Sequence, residues 1–135
     1  MNNDHINITS ILTHLDTVVK KNVCARCYAG TLPETLTEDV ETMVVIDCGN
    51  SVRDYHAYGR GTVNIYMYAR PIARKMNIFA LSRLEKNLSK ALRENKFDTE
   101  YYSVPNEVML SGQGYDTTYN MHYLIKAIRI LIINV

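Results

Sequence analysis

Three sets of residues in this chain of 135 residues are of types and spacings that can do chemistry. The first is Cys24-Ala25-Arg26-Cys27, a lone CxxC whose thiols could ligate zinc or cycle through a disulfide. A tetrahedral zinc site needs a second ligand pair. Cys48 and His56 are the remaining candidates, and their placement completes no recognised zinc spacing. A redox CxxC sits at a strand-to-helix junction, whereas this one follows a helical pattern and enters a strand-like one. The three cysteines are therefore read as structural, and no metal or cofactor is expected.

The second set is Arg53, Asp54, His56 and Arg60, within the polar stretch Gly49 to Arg60. An unperturbed histidine titrates near neutrality and an adjacent aspartate can tune it, which is the raw material of acid–base catalysis. The same mixture is also what a solvated loop carries. No nucleophile elbow, HExxH or phosphate loop accompanies it. Gly59-Arg60-Gly61 and Gly112-Gln113-Gly114 are bare GxG pairs that join no strand to a helix N-terminus, so they read as hairpin turns. His5, His14 and His122 lie apart without companion ligands. The chain is expected not to be an enzyme.

The third set is the tyrosines: ten, with no tryptophan. Tyr55, Tyr58, Tyr66 and Tyr68 fall on one hairpin, and Tyr101, Tyr102, Tyr115, Tyr119 and Tyr123 on a later one. Tyrosine fits a pleated surface, and it is enriched at protein interfaces because its ring buries area while its hydroxyl keeps a partner. A platform for single-stranded nucleic acid would add a basic groove, but within 47–61 Arg53 and Arg60 are balanced by Asp47 and Asp54. The expected surface is therefore a subunit interface carried by Arg53, Tyr55, Tyr58, Arg60, Tyr66, Tyr68, Tyr119 and Tyr123. Tyr66 and Tyr68 are assigned to one patch and Tyr119 and Tyr123 to another, as a head-to-tail contact requires.

The elements that must position these residues follow from periodicity. Composition sets the frame: 47% hydrophobic and 21% charged, ordinary globular usage, so residues 1–135 are read as one domain. Fifteen Lys+Arg against fourteen Asp+Glu leave a net charge of +1, which points to no polyanion partner. The N-terminus has no basic segment followed by an apolar run, so no secretory signal is expected and the chain reads as cytoplasmic in type. The longest apolar stretch, Ala127 to Ile133, is interrupted by Arg129 and is far short of the ~20 residues of a membrane span.

Ile8, Ile11, Leu12, Leu15, Val18 and Val19 recur at three and four, predicting a helix over 4–20. Strands are predicted over 22–28 and 40–48. A third covers 61–69, where Val63, Ile65 and Met67 alternate with Thr62, Asn64, Tyr66 and Tyr68. Loops cover 30–39 and 49–60. Ile72, Met76, Phe79, Ala80, Leu84, Leu88, Ala91 and Leu92 predict a six-turn helix over about 71–95. A strand over 97–104, a turn at 111–116 and a final strand over 117–133 complete the order α-β-β-β-α-β-β. That order describes an α+β two-layer domain, a mostly antiparallel sheet packed by two helices. An unbroken final strand would be about 56 Å long in a globule about 36 Å across. It must bend, bulge or project, and projecting strands occur where subunits meet.

This order is carried by the helix Ile8–Val19, by Val44-Val45-Ile46 leading to Thr62-Val63-Asn64-Ile65-Tyr66-Met67-Tyr68, by the helix Pro71–Leu92 and by Ile128-Arg129-Ile130-Leu131. Across nearly the whole chain it resembles the tail terminator (tail completion) and neck-type minor tail proteins of long-tailed bacteriophages. The resemblance implies a non-enzymatic virion protein of the tail or neck, made in the host bacterial cytoplasm. Its subunits form a ring, usually a hexamer, that caps the tail tube and joins it to the head connector. Implied partners are copies of itself, tail-tube protein and connector protein, with DNA passing through the ring without sequence reading. The balanced charge of 47–61 departs from an acidic lumen loop, so no lumen role is assigned to it. The alternative is a small protein-binding module that uses the tyrosine-rich hairpin.

Overall fold

The computed structural model describes residues 8–30, 32–48, 53–54, 58–95, 102–103 and 108–133. Helix α1 (Ile8–Asn22) ends on Lys20 and Lys21, where cations suit the helix dipole. Strands β1 (Cys27–Ala29), β2 (Thr42–Cys48), β3 (Arg53–Asp54) and β4 (Tyr58–Ala69) follow, then helix α2 (Ile78–Glu94). Strands β5 (Tyr102–Ser103), β6 (Val108–Asp116) and β7 (Met121–Ile133) close the chain. The seven strands form one sheet with the path β1-β2-β4-β7-β5, β3 pairing with β4 and β6 with β7. Only β1 with β2 is parallel; every other pairing is antiparallel. Because β7 covers the whole of one edge of β4, β2 and β3 share the other. The α+β two-layer layout is the one expected.

The spine of the sheet is the β4–β7 ladder, paired without a break from Tyr58↔Ile133 to Ala69↔His122. Twelve paired residues at ~3.3 Å each extend about 40 Å, the full width of a globule this size. Alternation along the ladder sends Val63, Ile65 and Met67 to one face, where they join Val44, Ile46 and Ile128 beneath Ile11, Leu15 and Val19 of α1 and Leu84, Leu88 and Leu92 of α2. Lys126 lies on this face too, buried but ion-paired at 3.2 Å with Glu85 of α2. His14 of α1 bonds the Asn95 carbonyl at the end of α2 (3.0 Å), tying the helices together.

Several boundaries differ from expectation: the strand expected over 22–28 is confined to Cys27–Ala29 because α1 runs on to Asn22, and three others have a local reason. Helix α2 starts at Ile78 rather than near 71, because Asn77 caps it by accepting from the Ala80 N–H at 3.1 Å. Ahead of it, Ile72 and Lys75 exchange backbone hydrogen bonds (3.0 and 2.9 Å) around Ala73 and Arg74, whose φ values of 50° and 66° are those of a tight type I′ turn. The turn expected at 111–116 is instead strand β6, and the chain reverses at 117–120, so the last strand begins at Met121. Gly112 there absorbs a bulge with φ 158° rather than a turn. Lastly, the loop expected over 49–60 is partly paired: Arg53↔Arg60 and Asp54↔Gly59 extend the hairpin.

Candidate functional site

The sheet's other face carries a second buried cluster of Val40, Met43, Val45, Tyr68, Tyr119 and Met121, with Tyr28, Leu36, Tyr66 and Tyr123 packed against it. It draws on strands, the 32–40 loop and the 117–120 turn, and on no helix. Register explains the tyrosines. Tyr66 and Tyr68 are two apart on β4, and Tyr123 lies directly opposite Tyr68. Ring centroids stand 5.5 Å apart for Tyr68–Tyr123, 6.0 Å for Tyr66–Tyr123 and 6.4 Å for Tyr66–Tyr68. Tyr119 meets Tyr68 edge-on at 6.1 Å. On the far side of Tyr123 its cross-strand partner is Gly114. A Cβ there would come within 2.5 Å of the Tyr123 hydroxyl, so the glycine makes the space in which that ring lies.

Tyr66, Tyr68, Tyr115 and Tyr123, with Asp47 and Asp116, border a groove of about 560 Å³. Its described lining holds those two carboxylates and no lysine, arginine or histidine. Asp116 is fixed from both oxygens: Oδ1 accepts from the Thr118 N–H at 2.9 Å and Oδ2 from the Tyr68 hydroxyl at 3.5 Å. Burial, reinforced by the Asp116 charge, pushes the Tyr68 phenol well above its ordinary range, so it stays protonated and donates. Asp47 stands exposed on β2.

One end of this face is stitched shut. Arg70 donates from Nε to the Val40 carbonyl (2.9 Å) and from its two terminal nitrogens to the carbonyls of Tyr119 (3.1 Å) and Thr37 (3.4 Å). The Tyr119 hydroxyl donates to the Pro33 carbonyl. Loop 32–40 and turn 117–120 are thereby pinned to the sheet. Beyond them a second groove of about 790 Å³ carries mixed charge, Glu34 and Glu38 with Arg70, Arg74 and His122.

Against this geometry, Tyr66, Tyr68, Tyr119 and Tyr123 come together, but as one patch. The two-patch assignment is corrected, because the β4–β7 register brings Tyr66, Tyr68 and Tyr123 together and the 117–120 turn sets Tyr119 edge-on against Tyr68. Within it Tyr68 and Tyr119 are buried, so Tyr66 and Tyr123 are the more accessible members. Arg53, Tyr58 and Arg60 lie at the opposite end of the hairpin, known by backbone pairing alone. Tyr55 and His56 lie outside the described residues. Sequence reasoning missed Asp116 and Arg70. An aspartate two residues ahead of the N–H it caps is a turn signature that could have flagged the first; nothing local signals the reach of Arg70.

Cys24 and Cys27 are free thiols, and burial pushes the Cys27 thiol far above its ordinary range. Among the described residues, no three His, Cys, Asp or Glu side chains are placed to share a metal ion, and no helix is long and apolar enough to cross a membrane. No family of known proteins matches the chain, and no curated protein matches its sequence.

Proposed function

We propose that the chain is a non-enzymatic assembly subunit that associates with copies of itself through the tyrosine face. The observation that carries this reading is the asymmetry of the sheet: both helices cover one face, and the other offers a tyrosine-lined groove rimmed by carboxylates. An uncovered sheet face is where a layered domain takes up a partner, and clustered tyrosines supply the rigid, half-polar area on which interface energy concentrates. In its finer form the proposal is a ring of the tail-terminator type, a hexamer that caps a tail tube, meets a head connector and lets DNA through. The unbroken β4–β7 ladder, as long as the domain is wide, suits a subunit that must span a ring wall.

Light scattering coupled to size exclusion at two concentrations, with negative-stain imaging of the largest species, tests it. The expected result is a closed ring near six subunits, and Tyr66→Ala with Tyr123→Ala returns it to monomer. A strict monomer at high micromolar concentration that forms no ring on added tail-tube protein sinks the proposal. A second reading, a module that binds one segment of a foreign protein, draws support from the groove being stitched shut at one end by Arg70. It expects a monomer or dimer.

A further inference from the structure

The large hydrophobic side chains left exposed among the described residues fall into two groups. Leu32 (57% exposed) and Tyr115 (45%) belong to the rim of the acidic groove. Ile72 (64%), Ile78 (68%) and Phe79 (79%) flank the tight turn between β4 and α2. That turn carries exposed Arg74 and Lys75 at its tip and directly after it. One surface is therefore concave, aromatic and acidic, and the other is an exposed apolar knob with a basic tip, whose Arg74 also borders the second groove with Glu34 and Glu38.

The knob is built rather than accidental. Ala73 and Arg74 both sit at positive φ, a conformation that normally selects glycine or asparagine. Reciprocal Ile72–Lys75 hydrogen bonds hold it there, and the Asn77 cap stops α2 from winding back through it. Ile72 lies in this turn, and Ile78 and Phe79 open α2 ahead of its buried stripe, so all three stay in solvent, an arrangement that strands apolar area unless something covers it.

We propose that the groove of one copy receives the Ile72–Phe79 knob of a second copy. The cations of Arg74 and Lys75 are set against Asp47 and Asp116, and the side chains of Ile72, Ile78 and Phe79 lie against the tyrosine rings. Charge complementarity selects this occupant: the groove's described lining is acidic without a compensating base, and the knob supplies two cations beside three uncovered apolar side chains. A cation over tyrosine faces, partly desolvated, adds to the ion pairing. Knob and groove are different patches, so the contact is head-to-tail, the kind that closes into rings. The inference rests on the self-assembly proposed above and names its two surfaces.

Charge reversal in two variants tests it. Asp47→Lys with Thr117→Lys, both exposed in the groove's lining, outweighs Asp116 and makes the groove net basic while the knob stays basic; Arg74→Glu with Lys75→Glu makes the knob acidic while the groove stays acidic. Each variant alone should lose self-association by tenfold or more in light scattering. An equimolar mixture should regain it, because every groove then meets a knob of opposite sign. Regain in the mixture also proves that both variants are folded, and Asp47→Asn, a milder change, should weaken association less.

If the wild type assembles and either reversed variant assembles equally well, or the mixture fails to recover, the knob-in-groove contact is wrong while self-assembly stands. If Asp47→Lys with Thr117→Lys abolishes binding of a foreign protein and leaves self-association intact, the groove belongs to that partner and the inference is overturned. A wild type that never assembles removes both proposals together.

Discussion

The two faces of the sheet are made from the same strands and differ in every other respect. On the helical face the buried side chains are aliphatic, sulfur-bearing or small, and the single buried charge, Lys126, is paired with Glu85. On the other face the same strands put forward Tyr66, Tyr68 and Tyr123, each with a polar hydroxyl at its tip, and among the described residues a loop held by Arg70 covers one end. Aliphatic packing is non-directional and is strongest when complete. Tyrosine tolerates partial exposure because its ring and hydroxyl serve opposite environments. The difference teaches where the proposal is exposed: if the tyrosine face serves recognition, truncations there should cost less stability than truncations on the helical face.

The largest expected effect would break that division if it failed. Ile65 is fully buried at the centre of the helical face, so Ile65→Ala removes packing on every side. It should cost about 2–5 kcal/mol in urea unfolding without altering the composition of the groove. Tyr66→Ala, one residue along the strand and half-exposed, should cost about 1 kcal/mol or less while abolishing self-association. Equal stability losses in the two variants would show that the tyrosine face is core like the other.

A sharper cut lies within the tyrosine face. Gly114→Ala places a methyl carbon 2.5 Å from the Tyr123 hydroxyl and 2.7 Å from its ring carbon, so the ring must swing away. The expected cost is about 1–3 kcal/mol, with loss of the Tyr123 contacts to Tyr66 and Tyr68. In a Tyr123→Ala background the same change should cost little, because the atoms it collides with are gone. Thermal unfolding of the four proteins in this cycle measures the coupling, and additivity would show that Gly114 serves the backbone rather than the ring.

Much of this contrast was legible in the sequence. The alternation of Val63, Ile65 and Met67 with Asn64, Tyr66 and Tyr68 already separated the two faces, because strand period is fixed by pleat geometry. The spacing of Leu84, Leu88, Ala91 and Leu92 marked the buried stripe of α2. Where α2 begins was not legible: Ile72 and Met76 continue the same period, and the Asn77 cap and the positive-φ turn at Ala73–Arg74 exclude them. Ser111 to Asp116 looked like a turn because its two glycines usually mean one; here one absorbs a bulge and the other makes room for a ring across the ladder. The merging of Tyr66, Tyr68, Tyr119 and Tyr123 into one patch depends on the β4–β7 register and on the turn that lays Tyr119 against Tyr68, long-range contacts that no local pattern encodes.

The smallest effect compares the faces through protons. Each holds an acid whose folded pKa lies above its ordinary value: Cys27 under the helices, ordinarily 9.0, and, opposite, Tyr68 with Tyr119 beside it, ordinarily 10.0, all raised first of all by burial. A raised folded pKa means the folded chain binds the proton more tightly than the unfolded one. Below the unfolded values both states are protonated and the full stability is present. As pH climbs past them, only the unfolded chain releases its protons, and stability falls until the folded pKa is reached. Urea midpoints should therefore be flat up to about pH 9 and decline above it, the Cys27 contribution entering first and that of Tyr68 about one unit later. Cys27→Ala should remove the early part of the decline. Tyr68→Phe should remove much of the later part, the remainder belonging to Tyr119, whose phenol burial also raises. A decline that Tyr68→Phe leaves unchanged would mean that the Tyr68 hydroxyl already reaches solvent through the groove, and that the tyrosine face is more open than its packing against Asp116 indicates.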